Sequence, residues 1–286
     1  MSKPTTPAAG FDKQREFEFG AEDFNALREL VKRIAGINLA ESKQELVYGR
    51  ISRRLRALGM DSFRDYRDLL DSEQGEAEIV EFCNAITTNL TSFFREGHHF
   101  EYLREHLLQA RAASGGSRRL RIWSSACSTG EEPYSIAMTV MEALPDWERW
   151  DIRILATDLD SEVLARAKAG AYKGERLAGM PLQRRTRNFQ QTGPDEFRVK
   201  PELQQLITFK QLNLMHQLPM KGPLDALFCR NVIIYFDKET QRELFRRMAP
   251  LQRPGDLLFL GHSESLFKVS DAWSLIGKTI YRRAGA

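Results

Sequence analysis

Cysteine is scarce in this chain: three in 286 residues, Cys83, Cys127 and Cys229, widely spaced and without a C-x-x-C pair. That set excludes a disulfide framework and a cysteine zinc site, and fits reduced, mostly buried thiols. The five histidines, His98, His99, His106, His216 and His262, show no H-E-x-x-H or comparable ligand spacing, so no metal is expected. Long apolar runs are missing as well, and none approaches the roughly 20 residues that a membrane-spanning helix needs. The opening MSKPTTPAAGFDKQREF lacks the apolar core of a signal peptide. A flexible tail over residues 1–20 and a cytoplasmic location are therefore expected. A dominant charge sign is absent too: 42 Lys and Arg against 39 Asp and Glu give a formal +3. So small an excess predicts neither nucleic-acid binding nor membrane insertion.

What the chain does contain is a change of rhythm. From about residue 21 to 90 apolar residues recur at helical spacing, as in Phe24, Leu27, Leu30, Val31 and Ile34, then Phe63, Tyr66, Leu69 and Leu70. No strand-like alternation interrupts them, which predicts an all-helical N-terminal domain. A linking helix from about Glu96 to Ala112 follows, and the turn SGGS closes it. Beyond it, short apolar runs (LRIWSSA, DIRILATD, LITFKQLN, LDALFCRN, DLLFLG, KTIYRR) alternate with helical segments. That is the pattern of an α/β fold with a parallel sheet, so residues 91–286 form the second expected domain. Within it the rhythm lapses over about 172–207 into a polar, basic stretch with TGPDEFRVK, a hairpin-bearing insertion.

The first strand runs into RIWSSACSTGEEPYSIA, where an α/β fold usually holds a nucleotide. Neither phosphate-binding pattern fits. A Walker loop needs a second glycine and a lysine, a dinucleotide fingerprint needs three glycines, and only Gly130 is present. Glu131 and Glu132 would repel phosphate. Two readings remain from this turn: Ser128 or Thr129 simply caps the helix, or the acids meet a cationic ligand. The second strand ends in Asp158, roughly where a nucleoside-binding fold places an acid to accept ribose hydroxyls. A cationic nucleoside without phosphates describes S-adenosylmethionine.

Further polar residues fall at strand ends or just before the sheet. TTNLTSFFRE supplies Asn89, Thr91 and Arg95; FKQLNLM supplies Asn213 and Leu214; FCRNVIIYF supplies Arg230, Asn231 and Tyr235. GHSES, residues 261–265, is not the G-x-S-x-G nucleophile elbow, since Ser265 replaces the last glycine and no histidine follows. In YGRISRRLRALG, helical spacing puts Arg50, Arg53 and Arg54 on one face, with Arg56 nearby and Ile51, Leu55 and Leu58 facing inward. Such a face is either a solvated surface or a dock for an acidic partner.

Taken in order, NLTSFFRE, ACSTGEEPYSIA, ILATDLD, LNL, FCRNVIIYF and GHSESL closely resemble the CheR family of chemotaxis receptor glutamate methyltransferases. The resemblance covers nearly all of the chain after the tail. It implies a Rossmann-like S-adenosylmethionine-dependent methyltransferase domain carrying a small inserted β-subdomain, preceded by an all-helical N-terminal domain. It also implies that Asn89, Thr91, Arg95, Glu131, Asp158, Asn213, Leu214, Arg230 and Asn231 surround the cofactor. On that basis Asp158 is expected at the ribose, Arg95 at the methionyl carboxylate, Glu131 near its amino group, and Asn213 and Leu214 near the adenine. Arg95 and Tyr235 are the expected catalytic pair, and Arg50, Arg53, Arg54 and Arg56 the expected receptor-binding residues. The implied partner is the cytoplasmic helical domain of a methyl-accepting chemoreceptor. Some members of the family also grip a receptor C-terminal pentapeptide with the β-subdomain, which the sequence leaves open here. A methyltransferase with another acceptor and a non-catalytic S-adenosylmethionine sensor are the alternatives.

Overall fold

The structure, a computed structural model, describes residues 15–285. Four helices come first: α1 (Ala21–Ala35), α2 (Gln44–Leu58), α3 (Phe63–Asp71) and α4 (Glu76–Ile86). Each buries the apolar stripe its periodicity predicts, and Leu27, Val31, Ile51, Leu55, Phe63, Tyr66 and Phe82 share one core. Ser62 starts α3 by accepting the Asp65 N–H on its hydroxyl, which satisfies one of the free donors at a helix start.

The tail expected over 1–20 is shorter at its inner end. Phe17 and Phe19 are buried in the helical core, and Phe19 lies 4.4 Å from the Phe63 ring. Residues 1–14 lie outside the described residues. Leu58, expected to face inward, is exposed because it ends α2 beside Gly59.

The linking segment is α5 (His98–Tyr102), a π-helical turn over Leu103–Leu108, and α6 (Gln109–Ala113). Then follow β1 (Arg119–Ser124), α7 (Glu131–Ala143), β2 (Asp151–Asp158) and α8 (Ser161–Ala169). The insertion holds β3 (Ala171–Lys173), α9 (Leu182–Asn188), β4 (Phe189–Gly193), β5 (Glu196–Val199) and α10 (Pro201–Gln204). The chain closes with β6 (Ile207–Gln211), β7 (Ala226–Cys229), α11 (Lys238–Met248), β8 (Leu257–Leu260), β9 (Trp273–Gly277) and β10 (Ile280–Arg283).

Seven strands form one sheet in the order β6-β2-β1-β7-β8-β10-β9, and β3, β5 and β4 form a separate small sheet. The large sheet is mixed rather than parallel throughout, since β10 runs antiparallel to both β8 and β9. The five strands from β6 to β8 pair in parallel, with Ile122 of β1 opposite Ile154 of β2 and Ala226 of β7. Alternation along these strands divides the core between two faces. Ile122, Ile154 and Phe228 pack on one face, Trp123, Leu227 and Leu258 on the other. All four residues of β7 and of β8 are buried, the expected composition of strands covered by helices on both sides. From β1 the chain winds outward through β2 to β6 on one side, then returns to β7 and β8 on the other. The switch point therefore lies between β1 and β7, and in such sheets the crevice at the carboxyl ends there receives ligands.

Candidate active site

A cavity of about 490 Å³ opens at that crevice. Its floor is the carboxyl ends of β1, β2, β6 and β7. Its roof is the helical domain, through Ala35, Asn38 and Arg50 and the Ile86–Ser92 linker. Tyr235 packs against both the sheet core and the helical core. Its carbonyl accepts the Asn38 N–H at 2.7 Å, which ties roof to floor.

Gly130 turns β1 into α7 at φ 98°, and a Cβ there would stand 2.9 Å from Ala167 and from the Tyr172 hydroxyl. Both the left-handed backbone and the close approach require glycine. Gly130 is itself the helix cap, with no side-chain bond, so neither Ser128 nor Thr129 caps α7. The two glutamates then part company, because neighbours on a helix point about 100° apart. Glu131 is fully buried away from the cavity, where its carboxylate accepts from Thr129 at 2.6 Å and pairs with Arg176 of the insertion. Glu132 lines the cavity. It accepts the Ser124 hydroxyl at 2.7 Å and pairs with Arg230 at 2.8 Å. Of the two acids in this turn, Glu132 and not Glu131 is on the cavity lining. Two adjacent acids carry the same local signal, and only the buried partners Ser124 and Arg230 separate them. Burial pushes the Glu132 carboxyl above its ordinary value, and Arg230 opposes this.

Asp158 ends β2 with its carboxylate in the cavity wall. The N–H groups of Ser128 and Asp160 donate to it at 2.8 and 3.0 Å. Burial nevertheless pushes its carboxyl up to about 6, with those bonds pulling the other way. Asn89, Thr91, Arg95, Asn213, Leu214, Arg230, Asn231 and Tyr235 all line the same cavity, so of the residues expected around the cofactor only Glu131 stands outside it. Their present bonds differ. Asn89 donates to Asp160 at 2.7 Å, and Asn213 to the Ile34 carbonyl at 2.7 Å. Arg95 donates to the Leu90 carbonyl at 2.9 Å. Ser128 and Asn231 in the lining, and Phe94 and Glu96 on either side of Arg95, have positive φ. Backbone strain of this kind gathers at functional sites.

The arginine helix presents less free charge than its sequence suggests. Arg50 donates to the Thr87 carbonyl at 2.7 Å and lines the cavity. Arg54 makes a two-pronged pair with the buried Glu78 at 2.8 and 2.6 Å. Arg56 meets Glu16 at 3.0 Å. Arg53 is exposed and, among the described residues, enters no ion pair. Of the four expected receptor-binding residues it alone keeps an uncommitted guanidinium.

Glu96, His98 and His99 place three ligand-type atoms within 4.8 Å of one another. A divalent ion is disfavoured there by the Arg230 guanidinium, 3.5 Å from the Glu96 carboxylate. Both histidine Nε2 atoms also face the Lys278 carbonyl. Burial depresses His99 to about 3 and keeps it neutral, whereas Arg230 and His262 hold Glu96 below the usual carboxylate range against the effect of its burial.

An acid at the end of the second strand and acidic rather than phosphate-binding residues in the first turn fit a cofactor that is a nucleoside and a cation at once. S-adenosylmethionine is such a cofactor. Residues 22–87 match the family model described as the CheR methyltransferase all-alpha domain, and residues 89–282 match the CheR methyltransferase SAM binding domain. The chain belongs to the CheR methyltransferase family. It is 49% identical to chemotaxis protein methyltransferase 2 of Pseudomonas aeruginosa, over 98% of this chain and 99% of that one. It is 46% identical to the chemotaxis protein methyltransferase of Escherichia coli over 90% and 89% of the two chains, and 35% identical to that of Borreliella burgdorferi over 86% and 88%.

Proposed function

We propose that the protein transfers the methyl group of S-adenosylmethionine to glutamate side chains of chemoreceptors, forming methyl esters in chemotaxis adaptation. The observation that carries this reading is the cavity itself, set at the switch point between β1 and β7 and lined by Asp158, Glu132, Arg230 and Tyr235. Asp158 would accept the ribose hydroxyls, Arg95 would face the methionyl carboxylate, and Glu132 takes the role first assigned to Glu131. Asn89, Thr91, Asn213, Leu214 and Asn231 complete the wall.

When bound, S-adenosylmethionine supplies a methyl group on a positively charged sulfur. The acceptor needs no general base, because a glutamate of pKa about 4.3 is already a carboxylate at neutral pH. What remains for the protein is alignment and exclusion of water. Arg95 and Tyr235, both on the lining, orient the reacting groups. The receptor's helical cytoplasmic region docks through the exposed Arg53. Among the described residues β4 has a free edge in the small sheet, where a receptor C-terminal pentapeptide can add as a strand. No described helix is long and apolar enough to cross a membrane, and a cytoplasmic location follows from this choice of substrate.

The direct test incubates the protein with methyl-labelled S-adenosylmethionine and chemoreceptor cytoplasmic fragments, wild type beside variants whose candidate glutamates are alanine. Base-labile label that disappears in the variants is the expected result. Cofactor binding without label on any receptor would move the assignment to another acceptor or to a sensor.

A further inference from the structure

The GHSES segment, which is no nucleophile elbow, acquires a different role in three dimensions. Glu264 is buried, and its carboxylate accepts five backbone N–H groups. Oε2 takes Gly261 at 2.6 Å and Asn231 at 2.9 Å, while Oε1 takes Val232 and Ile233 at 2.9 Å and Ile234 at 3.3 Å. Four of these donors belong to the segment that leaves β7 and builds the cavity wall down to Tyr235. No sheet partner serves those N–H groups, and Asn231 holds φ 56°. Gly261 closes on the same segment from β8: a Cβ there would lie 2.3 Å from the Asn231 side-chain nitrogen and 2.9 Å from its backbone nitrogen.

We propose that Glu264 is a positioning residue for methyl transfer, its carboxylate fixing the Asn231–Tyr235 wall with Gly261 as the gap that lets the wall seat. The inference rests on the reading of this cavity as the S-adenosylmethionine site. The physical argument is one of satisfaction: the carboxylate supplies acceptors for four consecutive N–H donors and that of Gly261, and the Ile233 and Gly261 bonds are buried, where a donor left without a partner is costly. An amide cannot replace it, because its NH2 group would face donors. A shorter carboxylate keeps the charge and the acceptors and should recover part of the function.

Three variants test this with two readouts, the dissociation constant of S-adenosylhomocysteine by calorimetry and the kcat and KM of receptor methylation. Glu264→Gln should weaken binding about tenfold or more, equivalent to ~1.4 kcal/mol, and lower kcat at saturating cofactor. Glu264→Asp should recover part of both. Gly261→Ala, which leaves the carboxylate in place and displaces Asn231 from the other side, should reproduce the Gln phenotype even if the Gln variant does not fold. Wild-type binding and kinetics in folded Glu264→Gln, or in folded Gly261→Ala, would overturn the proposal. A wild-type protein that does not bind S-adenosylhomocysteine would instead overturn the reading of the cavity, so the two failures are distinguishable.

Discussion

The Glu132 carboxylate and the Arg230 guanidinium meet at 2.8 Å on the cavity wall, with side-chain exposures of only 10% and 2%. Arg230 is further held by the Arg95 carbonyl and faces Glu96 at 3.5 Å. Removing one member of a buried pair strands the other charge, at a cost of about 3–5 kcal/mol. Glu132→Ala should therefore lower the melting temperature by on the order of 10 °C. Glu132→Gln, whose single oxygen can accept from Arg230 while its NH2 donates to the Ser124 hydroxyl, should lose less. Melting curves followed by circular dichroism decide it, and two variants that melt like the wild type would show that the pair contributes nothing.

Asp158 gives a pH dependence with a definite sign. Burial raises its pKa in the folded protein to about 6, above the ordinary 3.8 of an aspartate. Between those values the folded protein keeps a proton that the unfolded chain has lost, so this group's contribution to stability falls as pH rises from about 4 to about 6, by ~3 kcal/mol in all. A ribose donating two hydroxyls favours the carboxylate. Binding of S-adenosylhomocysteine below about pH 6 should then release a proton and weaken as the pH falls. Calorimetry in two buffers of different ionisation heat measures that proton, and Asp158→Asn should abolish the release. Release that persists in the Asn variant would assign the titration to another group.

Much of this arrangement was legible in the sequence, and the misses share a cause. Helical periodicity gave the four N-terminal helices, strand-end positions gave six of the residues that line the cavity, and the segment before the sheet gave Asn89, Thr91 and Arg95. The division of labour between Glu131 and Glu132 was not legible, because it depends on Arg176 and Arg230, respectively 45 and 98 residues further along the chain. The arginine face looked free because Glu78, the partner of Arg54, sits on another helix. β9 escaped notice because an edge strand with exposed Ser274 and Leu275 lacks the alternation of a half-buried one. Glu264 was hidden for a different reason: backbone N–H groups leave no mark in a sequence.

Phe17 and Phe19 fall within the tail expected from the Pro, Thr, Ala and Gly of the opening stretch, yet both belong to the helical core. Phe19 stands 4.4 Å from Phe63 and 5.7 Å from Tyr48, ring centre to ring centre. Phe19→Ala should destabilise the protein by about 3 kcal/mol through lost burial and the cavity left behind. Chemical denaturation checks this, and a midpoint unchanged from wild type would show that the segment does not pack in solution.

The arginines of α2 now make separable predictions. Arg54→Glu breaks the two-pronged pair with Glu78 and sets two carboxylates face to face, beside a Tyr66 hydroxyl that donates to Glu78 at 2.8 Å. It should lower the melting temperature and, through folding, every activity. Arg53→Glu disturbs no bond among the described residues. It should leave the melting temperature and the affinity for S-adenosylhomocysteine unchanged while slowing receptor methylation about tenfold, and the wild-type rate should fall with added salt because exposed charges are screened. Methylation rates across a salt series, with calorimetry on the same preparations, separate the two effects. An Arg53→Glu protein that methylates receptors at the wild-type rate would move the docking face off α2, whereas parallel losses of methylation and cofactor affinity would place the defect in the cavity.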